Sequence, residues 1–217
     1  MTEASAARQH MISGQIRPNR VTDERVIDAF ATVPREAFLP KALKGVAYLD
    51  EDLQIKPGRY LMEPMVMARL VQAAGILNSD VVLDVGCATG YSSAILAKLA
   101  ATVVALEEDG ELAKTATENL ARVEIDNVAV IEGSLTGGAP KHGPYQVIFL
   151  SGAASELPAE LIDQLDEGGR LVFVRQENNV GHGHIITKTG GLVGRRDLFD
   201  AGTPLLPGFG KKPAFSF

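Results

Sequence analysis

From Val81 onward, short apolar runs alternate with stretches of helical period. Val81, Val82, Leu83 and Val85 form a run suited to a strand buried on both faces, and Gly86 ends it. Ser92 to Leu99 follows with Ile95, Leu96 and Leu99 at helical spacing. Thr102 to Leu106 is a second apolar run, closed by Glu107, and Glu111 to Val123 places Leu112, Thr115, Ala116 and Leu120 on one helical face. Asn127 to Ile131 reads as a third strand and Tyr145 to Ser151 as a fourth. A helix from Pro158 through Leu165 leads by Gly168-Gly169 into a fifth strand, Arg170 to Arg175. His184 to Lys188 and Leu192 to Phe199 flank Thr189-Gly190-Gly191, which signals a hairpin. The pattern predicts an α/β fold: a doubly wound, mostly parallel sheet with right-handed helical crossovers and a C-terminal antiparallel hairpin at one edge.

Ahead of this lies an N-terminal helical extension. Ala4 to Met11 can form a helix that Arg17-Pro18-Asn19 breaks, and Thr22 with Asp23 and Glu24 supplies a cap and acidic first turn for a second one. That second helix carries Val26, Ile27, Ala29, Phe30 and Val33 on one face. Pro34 and Pro40 bracket an irregular segment, Lys56 to Arg69 contains a loop, and Met65 to Ala74 is helical with Gly75 as its stop. The expected division is residues 1–64 as helical extension and substrate loop, and residues 65–217 as the ligand-binding core.

Composition changes this picture little. At 217 residues and 46% hydrophobic content, the chain can bury one large core. No stretch reaches membrane-spanning length, and Met1 to His10 lacks an apolar run behind a basic start, so no membrane partner and a cytoplasmic location are expected. The net charge of −6 offers no footprint for polyanions, so no nucleic-acid partner is expected. The lone cysteine, Cys87, excludes an internal disulfide and reads as a small residue in a tight turn. Gly181-His182-Gly183-His184 reads as a solvated loop, because two imidazoles without further ligands make no metal site.

The chemistry points to the loop after Val85. A helix beginning near Ser92 aims free N–H groups and its positive dipole end at whatever lies above the loop. The dinucleotide fingerprint Gly-x-Gly-x-x-Gly is not met, since Gly86 is followed by Cys87 and Ala88 and the next glycine is Gly90. A nicotinamide-dependent oxidoreductase is therefore disfavoured. Glu107 comes about 20 residues later, the usual distance for a carboxylate that accepts from two ribose hydroxyls. Asp84-x-Gly86-x-x-x-Gly90 with Glu107 resembles the S-adenosylmethionine site of Rossmann-like class I methyltransferases.

The resemblance narrows further. Val33-Pro34-Arg35 with Phe38 and Pro40, then Ala47-Tyr48 with Asp50, ahead of Val82 to Ala97 and Leu165-Asp166-Glu167-Gly168-Gly169, is similar to the protein-L-isoaspartate O-methyltransferase family. That resemblance implies S-adenosyl-L-methionine as cofactor, held by Asp84, Gly86, Cys87, Ala88, Gly90, Tyr91, Ser92 and Glu107. Gly133, Ser134 and Leu135 would lie at the adenine, where relatives carry Gly-Asp-Gly. It also implies methyl transfer to a carboxylate of a protein or peptide, with Tyr60, Ser151 and Gly152 on the substrate side. The chain departs from the family in one loop. The family signature Gly-Gln-Thr-Ile-Ser-Gln-Pro reads here Gly58-Arg59-Tyr60-Leu61-Met62-Glu63-Pro64, so Met62 and Glu63 stand beside the methyl-transfer centre where relatives have a hydroxyl and an amide. A carboxylate acceptor is ionised at neutral pH and needs no base, whereas a phenol or amine would leave Glu63 as the candidate base. Two readings result: an O-methyltransferase of the isoaspartyl type, or a cofactor-binding homologue that has lost that activity and serves another acceptor, including an unidentified small molecule, or a regulatory role.

Overall fold

The computed structural model describes residues 2–178 and 180–211. Helix α1 (Glu3–Met11) is capped by Thr2, and its apolar end continues through a wide π turn, Ile12–Ile16, before Arg17–Asn19 and a left-handed Arg20 stop it. Helix α2 (Glu24–Thr32) is capped by Asp23 rather than the expected Thr22. The Asp23 carboxylate accepts from Arg25 N–H, while Thr22 N–H is donated to Gln72 of a later helix. Two 3-10 turns come next, Arg35–Phe38 inside the proline-bracketed stretch and Lys41–Val46 just beyond Pro40.

Strands β1 (Leu53–Lys56) and β2 (Arg59–Leu61) then form an antiparallel hairpin around Pro57-Gly58, with Gly58 at φ 73°. This hairpin departs from the loop expected over Lys56 to Arg69. Pro57 presets one turn residue and Gly58 takes the positive φ that the next requires.

Helix α3 (Pro64–Ala74) ends at Gly75 in the left-handed conformation. The core continues as β3 (Val81–Val85), α4 (Tyr91–Ala97), β4 (Thr102–Glu107), α5 (Gly110–Arg122), β5 (Val128–Glu132), β6 (Tyr145–Ala154), α6 (Ala159–Asp163), β7 (Leu165–Glu177), β8 (Val180–Thr189) and β9 (Leu192–Asp200). The sheet order is β5-β4-β3-β6-β7-β8-β9; the first five are parallel and the last two antiparallel, as the sequence pattern predicts. Gly190 and Gly191, both at positive φ, make the two-residue turn between β8 and β9.

Alternate residues of the parallel strands serve two cores. Val82, Val103, Val147, Phe149 and Val172 face the layer of α1 to α4, and Leu83, Val104, Ile148, Leu150 and Leu171 face α6 and the C-terminal segment near Leu206 and Phe209. Burial on both faces explains why these strands read as continuous apolar runs. One expectation fails here: Gly181 to His184 lies inside β8, paired with β7 from Phe173 to Gln176. His184 is buried against the edge of Phe173 and shares a 2.7 Å hydrogen bond with Asp197. Pairing with two neighbours overrides the loop-like composition of this stretch.

Candidate cofactor and acceptor site

The carboxyl ends of β3, β4 and β6 converge on the point where the strand order reverses, the usual ligand crevice of an open α/β sheet. Gly86 and Cys87 both donate their N–H to the Leu106 carbonyl, at 2.8 and 3.2 Å, which curls the chain tightly over the end of β4. Ala88 comes next at φ 52°, an uncommon conformation for a residue with a side chain, and Gly90 N–H closes the turn on the Cys87 carbonyl at 2.8 Å. Gly90 at φ 95° is the N-cap of α4.

Asp84 holds this turn in place from beneath. Its Oδ2 accepts from the hydroxyls of Ser92 and Ser93, each at 2.6 Å, and its Oδ1 from Ser151 at 2.8 Å. Burial pushes the Asp84 carboxyl above its ordinary range, against the pull of the three hydroxyls and of Arg59. One carboxylate thus fixes β3, α4 and β6 relative to one another. Ser92 and Ser151, expected beside ligand, are here partners of Asp84.

Glu107 at the end of β4 is fully buried. Its Oε1 accepts from Glu108 N–H and Asp109 N–H at 3.0 and 3.2 Å, and its Oε2 from Ala88 N–H at 2.7 Å and from the Arg59 guanidinium at 2.5 Å. Burial raises the Glu107 carboxyl, and Arg59 and the backbone N–H groups oppose it. Lys56, on the same hairpin as Arg59, pairs with Asp109 and, at 3.0 Å, with Glu111. The β1–β2 hairpin is therefore pinned at two places across the mouth of the site. The sequence pattern does not single out Arg59 or Lys56. The signal that could find them is the hairpin itself, whose short alternation puts Arg59 and Leu61 on one side.

On the acceptor side, Tyr60, Met62, Met67, Gly86, Ala88 and Ser151 line what remains of the crevice, about 10 Å³. Glu63 is not among its lining residues; it stands half-buried beside Asp50, Glu51 and Asp52, and burial together with these three acids pushes its carboxyl up to about 7. Asp52 accepts from both Glu63 N–H and Thr203 Oγ1, linking the segment after β2 to the C-terminal segment. Gly133 N–H donates to the Glu107 carbonyl at 3.0 Å, Leu135 is fully buried, and Ser134 is exposed with its hydroxyl on Thr136. Tyr91 is buried under Arg35, Phe30 and Phe38, so its ring belongs to the junction with the N-terminal helices. Gly152 lies directly beneath Leu206.

A family model described as protein-L-isoaspartate (D-aspartate) O-methyltransferase matches residues 6–197. The chain belongs to this family. Protein-L-isoaspartate O-methyltransferases among its relatives include one from Methanoculleus marisnigri, 42% identical over 165 residues, covering 76% of this chain and 75% of the relative. Another, from Koribacter versatilis, is 36% identical over 215 residues and covers 99% and 97%. A solved protein-L-isoaspartate O-methyltransferase superposes with a TM-score of 0.82 at 25% identity, over 94% of this chain and 67% of that one. A Plasmodium falciparum homologue solved with S-adenosyl-L-homocysteine shares the fold at a TM-score of 0.77 and 23% identity, over 95% and 99%.

Membership in the protein-L-isoaspartate O-methyltransferase family makes the chain an S-adenosylmethionine-dependent methyltransferase. The polar groups fit that cofactor, with a glycine turn at the head of α4 and an acceptor carboxylate at the end of β4. The space left between the glycine turn and Tyr60 and Met62 in this conformation does not, because about 10 Å³ accommodates roughly one water, whereas ligand pockets run to roughly 300 Å³ or more.

Among the described residues no helix is long and apolar enough to cross a membrane, and no group of three or more His, Cys, Asp or Glu is placed to hold a metal.

Proposed function

We propose that the site transfers a methyl group to a carboxylate of a protein or peptide, with Gly86 to Gly90 and Glu107 holding the cofactor and the Tyr60 to Met62 segment with Ser151 and Gly152 facing the acceptor. The observation that supports this reading is the meeting of Ala88 N–H with Glu107 Oε2, which brings the glycine turn and the ribose-side carboxylate into one crevice. In the same reading the chain divides at residue 64, with the segment before it supplying most of the acceptor wall and the segment after it the cofactor core together with Ser151 and Gly152.

The bound cofactor supplies an electrophilic methyl on a sulfonium. The protein contributes proximity and orientation, and an acceptor carboxylate, ionised at neutral pH, needs no general base. Asp84 keeps the ends of β3 and β6 and the head of α4 in place, and Met62 and Tyr60 exclude water from the acceptor side.

The test is transfer of a radiolabelled methyl from S-adenosylmethionine to isoaspartyl peptides and to aged protein. Transfer to a carboxylate leaves a methyl ester that mild base releases as methanol. Base-stable label would point to nitrogen or phenol acceptors and overturn the reading. Glu107→Ala should weaken cofactor binding by roughly 1 to 3 kcal/mol, the range for hydrogen bonds to a charged group.

A further inference from the structure

We propose that the chain latches its own cofactor crevice shut, with the Arg59 guanidinium on Glu107 and the Leu206 side chain over Gly86 and Gly152, so that a nucleoside gains the site only when both withdraw. This rests on the cofactor assignment above and adds its control.

Three observations converge. The first is the saturation of Glu107. A carboxylate offers about four acceptor positions, and Glu107 has four donors: Arg59 and the N–H groups of Ala88, Glu108 and Asp109. Three of these are backbone groups, one in the glycine turn and two between β4 and α5, so ribose hydroxyls can be accepted only in place of Arg59. Arg59 is itself buried at 5% exposure, and its Nη1 has no partner among the described residues in this closed arrangement.

The second is the seat of Leu206. A Cβ added to Gly86 would lie 2.8 Å from Leu206 Cδ2 and 3.4 Å from Arg59 Nη2, and one added to Gly152 would lie 2.6 Å from Leu206 Cγ. Both latch groups therefore rest on the Gly86 backbone, on ground that only glycine leaves open. The third is the attachment of Leu206. Its N–H donates to the Ala153 carbonyl at 2.9 Å, Ala153 N–H donates to Pro204, and Ser155 N–H donates to Phe209, which is fully buried. The segment from Ala201 to Phe209 is thus a strap zipped along the end of β6, and Thr203 on Asp52 joins it to the acceptor loop.

Closure lowers apparent affinity by the fraction of molecules that are open. If the open form is about 1 to 10% populated, binding is about 10- to 100-fold weaker than the crevice itself would allow.

The experiment is calorimetric titration of the full chain with S-adenosyl-L-homocysteine, paired with hydrogen exchange. Arg59→Gln removes the charge that occupies Glu107, and Leu206→Ala clears the glycines without altering charge, so one variant remains informative if the other folds poorly. The Arg59→Gln, Leu206→Ala double variant should bind at least about tenfold more tightly than the unmodified protein. In the unmodified protein, binding should accelerate exchange at Leu206 and Ala153 while slowing it at Ala88 to Gly90. Equal affinities, with exchange at 201–209 unchanged on binding, would overturn the latch and leave the cofactor assignment standing. No binding by the unmodified protein or any variant would overturn both.

Discussion

The Arg35 guanidinium lies over the ring of Tyr91, 4.9 Å from its centre, with both residues buried. Tyr91 opens α4 and Arg35 belongs to the proline-bracketed stretch, so this stack joins the N-terminal extension to the helix behind the cofactor turn. Arg35 Nε donates to the Ala47 carbonyl at 2.8 Å, but among the described residues Nη1 and Nη2 have no hydrogen-bond partner, nor has the Tyr91 hydroxyl. The ring face rather than the hydroxyl carries the contact. Tyr91→Phe should therefore change stability by less than about 1 kcal/mol, whereas Tyr91→Ala should cost about 3 to 5 kcal/mol as the cavity and the lost face combine. Urea denaturation separates the two, and equal losses would assign the contact to the hydroxyl.

Arg170 performs a similar junction at the opposite end of the sheet. It donates to the carbonyls of Ala74 and Gly75 at the end of α3, and its Nη2 meets Asp80 Oδ2 at 2.7 Å. Asp80 is almost fully buried and also accepts from Leu77 N–H. Removing the cation strands a buried carboxylate, so Arg170→Met should cost about 3 to 5 kcal/mol. Arg170→Lys keeps the charge without the fork and should lose less. Denaturation midpoints at fixed m-value test the order, and a Lys variant as unstable as the Met variant would show that fork geometry outweighs charge.

Glu63 gives the protein a pH dependence of defined sign. Its carboxyl titrates at about 7 in the fold because of burial and of Asp52, Asp50 and Glu51, against about 4.3 in an unfolded chain. Between these values the native state holds the extra proton, so this group's contribution to stability is present below about 4.3 and is lost as pH rises toward 7. Glu63→Gln stays neutral throughout. Its melting temperature should equal that of the unmodified protein below about pH 4, exceed it increasingly from there to about pH 7, and keep a nearly constant lead above that. A gap that does not change between those two pH values would refute the shift.

The parallel core was legible because strands buried on both faces read as unbroken apolar runs, and the meeting of the Gly86 turn with Glu107 because a glycine turn and a distant carboxylate keep a regular spacing. Arg59 and Leu206 were not. Arg59 meets a residue 48 positions away and Leu206 covers Gly86 from 120 positions away, and nothing in the residues around either one encodes the contact. The loop-like Gly181 to His184 misled for the opposite reason: its composition is local, whereas its pairing partners on β7 and β9 are not.

The structure also divides the two unusual residues of the acceptor loop. Met62, where the resemblance places a serine, is buried and lines the same crevice as Gly86, whereas Glu63 turns toward its acidic neighbours and is largely protonated below about pH 7. The missing hydroxyl should therefore limit isoaspartyl methylation more than the added carboxylate does. A hydrogen bond to a charged group contributes roughly 1.5 to 3 kcal/mol, or roughly 10- to 150-fold in rate. Met62→Ser should accordingly raise methyl-ester formation on an isoaspartyl peptide by about tenfold or more, while Glu63→Gln at pH 6 should change it by less than about threefold. Because truncating a buried Met costs stability, on the order of 2 to 4 kcal/mol, rates are compared below the lower melting temperature. A large gain from Glu63→Gln with none from Met62→Ser would show that charge at the mouth, and not the lost hydroxyl, sets the acceptor preference.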